Sequence, residues 1–134
     1  MEVTLTWTGL DEIIAALADL PPQIGLAMVQ VETNAAQDII KALQTYPPTP
    51  SGSTYVRTGT LGAGWLMSVS GLMVVITNSV VYEPWVEDEV TQTAVMQSIG
   101  WPTWQQVERE RLTTLDTELE ASIIALLGRA GFDA

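Results

Sequence analysis

The sequence predicts an α+β fold: a small antiparallel sheet packed against a long central helix and a long C-terminal helix, with a long extended loop. Three observations predict it. Apolar residues recur at three- and four-residue steps from Gln23 to Thr45 and again from Trp104 to Leu127. Two short β-forming runs, Trp65 to Ser70 and Leu72 to Asn78, flank a Ser70-Gly71 turn signal. Between the first helix and the first run lies YPPTPSGSTYVRTGTLGAGW, Tyr46 to Trp65, with three of the seven prolines and four of the ten glycines. Residues 46–64 are far longer than the ~4–6 residues of an ordinary connection, which marks them as a working part that touches a partner.

Taken in order, Val3, Leu5 and Trp7 alternate with Thr4 and Thr6, the pattern of a half-buried strand. Thr8-Gly9 breaks it. A short helix follows from Leu10 to Leu20, opened by Asp11 and Glu12 at its positive end and stopped by Pro21-Pro22. The long helix from Gln23 to Thr45 places Ile24, Met28, Val31, Ala35, Ile39 and Leu43 on one side and Gln30, Thr33, Gln37, Lys41 and Gln44 on the other. Ala27, Ala35, Ala36 and Ala42 allow a neighbour to approach it closely. After the hairpin, Val80 to Val86 is aromatic and runs into acids, so that Glu83, Glu87, Asp88 and Glu89 stand within seven residues. Val90 to Gly100 reads as irregular or a short helix. Thr103 caps the last helix, whose stripe is Leu112, Leu115, Leu119, Ile123 and Leu126. Glu108 and Arg111 interrupt that stripe near its start. Gly128 ends the helix, and 128–134 reads as a loose tail. The 134 residues suit a single domain, 1–134.

Composition narrows the chemistry. The chain is 47% hydrophobic, which excludes wholesale disorder, and no apolar run approaches the ~20 residues of a membrane span. The start of the chain shows no secretion signal. Absence of cysteine and histidine removes disulfides, the usual nucleophile–base pairs and the common zinc sites. No phosphate-cradling glycine motif is present, and Gly59, Gly62 and Gly64 serve tight backbone turns. Sixteen acids against five bases give a net charge of −11, which repels polyanions and equally serves solubility. No cofactor and no resident metal are expected.

Three groups of side chains are candidates for function. The acidic run suits a solvated face, a hard-cation site, a hydrolytic carboxylate pair or a contact for a basic partner. Arg57, the only base between Lys41 and Arg109, sits beside Tyr55 and suits either bidentate pairing with a carboxylate or simple exposure. Of the five tryptophans, Trp85 and Trp101 stand in weakly patterned stretches and suit interface anchors.

In this order the elements resemble the neck, or tail-completion, proteins of tailed bacteriophages. The resemblance rests on GLDEIIAALADLPPQI, the long helix, YVRTGTLGAGW, NSVVYEPWVED and the long C-terminal helix, and spans Gly9 to Leu127. Its most specific part is RTGTL, Arg57 to Leu61; Tyr82 with Val86-Glu87 is a second. The chain departs from the family where Asp88-Glu89 follows Val-Glu in place of glycine. It departs again where Trp101-Pro102-Thr103-Trp104 replaces a proline–phenylalanine element, and in being more acidic.

The resemblance implies a structural protein, not an enzyme, found in the virion and assembled in the host cytoplasm. It implies a homo-oligomeric ring, six-fold, between the head-side connector or stopper proteins and the tail terminator or tail tube. DNA would pass through the lumen unread. On this expectation the intersubunit contacts comprise Tyr55, Arg57, Thr58, Gly59, Leu61, Trp65, Tyr82, Trp85, Glu87 and Trp101. A tail terminator is the alternative of the same class. A carboxylate-dependent hydrolase using Glu83 or Glu87, or an acidic adaptor for a basic host protein, are alternatives of another.

Overall fold

A computed structural model describes residues 2–4 and 22–129. Its α+β architecture consists, among the described residues, of three strands and six helices. They are β1 (Glu2–Thr4), α1 (Pro22–Leu43), α2 (Thr60–Ala63), β2 (Trp65–Ser70), β3 (Met73–Asn78), α3 (Glu83–Glu87), α4 (Ala94–Ile99), α5 (Trp104–Leu112) and α6 (Leu115–Arg129). The expected helix from Leu10 to Leu20, the strand positions Leu5 and Trp7, and residues 130–134 lie outside the described residues.

α1 is the spine. Its 22 residues span about 33 Å at ~1.5 Å per residue. The predicted stripe is the buried one: Ile24, Met28, Ala35, Ile39 and Leu43 are interior, with Val31 half-buried. Two cores form on this helix. Towards its C-terminal half, Ala36, Ile39 and Leu43 meet Trp65, Val74 and Ile76 of the sheet and Val107 of α5. Towards its N-terminal half, Ile24, Met28 and Ala35 meet Leu115 and Leu119 of α6. Each fully buried Ile or Leu contributes ~1.5–3 kcal/mol relative to exposure, so this double-sided helix is the main source of stability. Ala35 and Ala36 lie at the close approaches, whereas Ala42 is exposed.

The sheet is antiparallel in the order β1-β3-β2. β2 and β3 pair from Trp65 opposite Asn78 to Ser70 opposite Met73, closed by Gly71 at φ 60°. The period of two turns Trp65, Val74, Ile76 and Asn78 inward and leaves Leu66 and Met73 exposed on the other face. β1 adds Glu2 to Thr4 on the free edge of β3.

Two expectations are corrected. The last helix is not continuous from Trp104 to Leu127: it breaks at Thr113-Thr114 into α5 and α6, and α6 runs through Gly128 to Arg129. Thr113 Oγ donates to the Glu110 carbonyl, and Arg111 spans the break to Asp38 of α1 and Glu118 of α6 at 2.8 and 2.9 Å. Arg111, one of the two residues that interrupt the apolar stripe, thus lies beside the break. The extended loop is also shorter than 46–64. Gly59, at φ 78°, starts a helical turn at Thr60, and the irregular stretch ends there.

Candidate functional site

The irregular arm hangs from a closed base. The Tyr46 hydroxyl accepts the Gly62 N–H at 2.7 Å, and the Gln44 side-chain amide donates to the Gly62 carbonyl at 3.0 Å. A Cβ on Gly62 would lie 3.0 Å from the Tyr46 hydroxyl oxygen, so the approach suits glycine. The arm turns at Pro50-Ser51-Gly52-Ser53, where the Ser53 N–H meets the Pro50 carbonyl at 3.1 Å and Gly52 has φ 80°, as a type II turn requires. Residues 48–56 are all exposed.

Arg57 brings the arm back to the body. Its guanidinium donates to the Pro47 carbonyl and lies 5.0 Å from the centroid of the Trp101 ring and 5.9 Å from that of Tyr46. Tyr46 and Trp101 are themselves 4.8 Å apart, centroid to centroid. These distances are in the range of cation–π and tilted aromatic contacts. Trp101 is delivered by the end of α4. Gly100, at φ 93°, reverses the chain, the Trp101 N–H reaches the Met96 carbonyl at 3.2 Å, and Gln92 bonds the carbonyls of Val86 and Trp101 at 2.7 and 3.0 Å. Around this cluster opens a cleft of about 130 Å³, lined also by Tyr55, Thr58, Thr60, Leu61, Tyr82, Val86 and Met96.

Behind the cleft wall, α3 turns its other side inward. Tyr82 and Val86 face the cleft, while Glu83 and Glu87 are fully buried. The Trp65 indole N–H donates to Glu87 Oε2 at 2.8 Å, but Glu87 Oε1 and both Glu83 oxygens have no hydrogen-bond partner among the described residues. Burial pushes the Glu87 carboxyl up to about 8, against the lowering effect of the indole bond and with some help from Glu83. Burial, with Asp88 nearby, pushes Glu83 up to about 7. Glu32 on α1, also buried and with both oxygens unpartnered among the described residues, is pushed by burial to about 7. At neutral pH these groups are largely or partly protonated.

The ten expected contact residues therefore divide. Tyr55, Arg57, Thr58, Gly59, Tyr82 and Trp101 gather at or around the cleft. Trp85 is half exposed on α3. Trp65, Leu61 and Glu87 are corrected: they are buried, Trp65 in the sheet core, Leu61 within α2 at the floor of the cleft, and Glu87 bonded to Trp65.

The acidic run is likewise not one solvated face. Glu83 and Glu87 point in, whereas Asp88 accepts from Gln105 at 3.0 Å and Glu89 pairs with Arg109 at 2.9 Å. Enclosure keeps the Glu83 and Glu87 carboxyls out of reach of a substrate in this conformation. Among the described residues no group of three or more acidic side chains is placed to hold a metal ion, and no helix is long and apolar enough to cross a membrane. Sequence reasoning missed Tyr46 and Met96 in the cleft and the burial of Glu32. Only Tyr46, set against Pro47-Pro48, carried a signal. Comparison with protein-family models, with curated proteins and with solved structures finds no match for this chain.

Proposed function

We propose that this chain is a structural subunit of a tailed-bacteriophage virion. It forms a closed six-fold ring at the head–tail junction, between the head-side connector and the tail. The arm carries the reading. It is clamped at its base by Tyr46, Gln44 and Arg57, yet it holds Tyr55 and Val56 in solvent at 72% and 79% exposure. An anchored loop that presents apolar side chains is what an adjoining subunit buries. The RTGTL motif at the root of that arm supports the family resemblance, and a net charge of −11 suits a lumen through which DNA slides without adhering.

A ring of identical copies is a heterologous assembly that closes, so each subunit needs two different faces. The arm is one of them. The test is the double substitution Tyr55→Ser, Val56→Ser in particles: heads and tails should accumulate unjoined while the purified subunit keeps its melting temperature. Normally joined particles would overturn the reading. A map of the particle also assigns the layer, neck or tail terminator, and purified rings should bind DNA no more tightly than a neutral protein at physiological salt.

A further inference from the structure

Three features of the molecule ask for a partner: the Arg57 cleft, the buried carboxyls behind it, and the exposed outer face of the sheet at Leu66 and Met73. The carboxyls are sealed off, and nothing marks what would cover the sheet face. The cleft carries more information, because charge, shape and size all restrict its occupant.

Charge comes first. In a chain of sixteen acids and five bases, Arg109 and Arg111 each hold carboxylates, Glu89 in one case and Asp38 with Glu118 in the other. Arg57 holds none among the described residues. A guanidinium has five N–H donors, and Arg57 gives one to the Pro47 carbonyl. The rings of Trp101 and Tyr46 lie 5.0 and 5.9 Å from it. A planar fork held by a carbonyl and two aromatic rings, with donors to spare, is pre-organised for a bidentate carboxylate. Size follows. About 130 Å³ is below the ~300–1,000 Å³ of small-molecule sites, so the cleft fits one side chain of a polypeptide. The shape is amphipathic: Tyr55, Tyr82 and Met96 offer apolar walls for the stem of a side chain whose head reaches Arg57.

A second copy of this chain presents that chemistry. On α6, Asp116, Glu120 and Ile124 recur at four-residue steps along one exposed side, two carboxylates followed by an isoleucine at 44% exposure. Neither Asp116 nor Glu120 is in an ion pair among the described residues. We propose that the Arg57 cleft of one copy receives a carboxylate of this α6 stripe from the next copy, Glu120 foremost, with Ile124 against the apolar rim formed by Tyr55 and Val56. The contact joins two different patches, so repetition generates a ring or a filament and not an isolated dimer. It deepens the ring reading and rests on it, because it names the two faces that meet.

The test is a charge swap read by sedimentation and native mass spectrometry of the purified chain at 0.15 M salt. Arg57→Glu and Glu120→Lys should each weaken self-association by about tenfold or more, and the two combined should recover most of it, as expected for a desolvated charge pair. Glu120 is solvent-facing, so Glu120→Lys should leave the fold intact even if Arg57→Glu perturbs the stack on Trp101. Arg57→Lys, which keeps the charge and loses the fork, should weaken association without being rescued by Glu120→Lys. Rings that assemble unchanged with Glu120→Lys, or that weaken with both single variants and show no recovery in the pair, would overturn the proposed contact while leaving the ring reading standing. A chain that stays monomeric throughout would overturn the self-contact itself.

Discussion

Replacing Glu87 by glutamine should make the protein more stable at neutral and alkaline pH, and the structure gives the size of the effect. The Glu87 carboxyl moves from an ordinary 4.5 to about 8 on folding because burial disfavours its charged form. Between those two values the folded state binds the proton and the unfolded state does not, so stability falls as pH rises through the window. The penalty is absent below pH 4.5 and complete above pH 8. At ~1.36 kcal/mol for each pH unit crossed, it is on the order of 3 kcal/mol at pH 7 and 5 kcal/mol above pH 8. Glutamine is neutral throughout and keeps a carbonyl oxygen for the Trp65 indole N–H, now 2.8 Å from Glu87 Oε2. Urea unfolding of wild type and Glu87→Gln, followed by tryptophan fluorescence from pH 5 to pH 8.5, should give curves that nearly coincide at pH 5 and separate steadily above it. Two protein concentrations keep assembly out of the comparison. The variant should retain a shallower slope from Glu83 and Glu32, both raised to about 7. Parallel curves for the two proteins would refute the reasoning, because they would show that Glu87 ionises alike in both states.

Trp65→Phe removes the one donor to Glu87 among the described residues and should destabilise by ~1–3 kcal/mol, with the Glu87 carboxyl titrating at still higher pH in a side-chain NMR titration. Gly64→Ala would place a methyl group 2.5 Å from Asn78 Oδ1 and 2.6 Å from Val80 Cγ2, and should lower stability by ~1–3 kcal/mol in thermal melts although the backbone there is ordinary. Leu43→Ala, at the fully buried end of α1, should cost ~2–5 kcal/mol in urea unfolding.

The parts of the fold governed by local periodicity were legible in the chain. Ile24, Met28, Ala35, Ile39 and Leu43 repeat because a helix turns every 3.6 residues, and they are the residues buried on α1. The hairpin was legible because Ser70-Gly71 separates two β-forming runs, and its register follows from that turn. The break in the last helix was not, because neither glycine nor proline marks it: two threonines and the reach of Arg111 to Asp38, 73 residues away, set it. The buried carboxyls were hidden for a similar reason. Glu83 and Glu87 stand in a run of acids that looks like surface, and their burial depends on Trp65, 22 residues from Glu87. In the cleft, Arg57 and Trp101 were marked by local composition, but their stacking with Tyr46 joins three separate segments that no spacing rule connects.

The pinch at Gly62 uncouples the length of the arm from the integrity of the body. Tyr46 and Gln44 hold the two ends of the excursion together whatever hangs between them. Doubling such a closed span adds only ~0.6 kcal/mol of closure entropy. The tip at Ser51-Gly52 is therefore a natural port for a grafted epitope, a dye-bearing peptide or a protease site. A chain so tagged would keep its fold and report, by shielding or cleavage of the graft, the moment at which the arm is engaged.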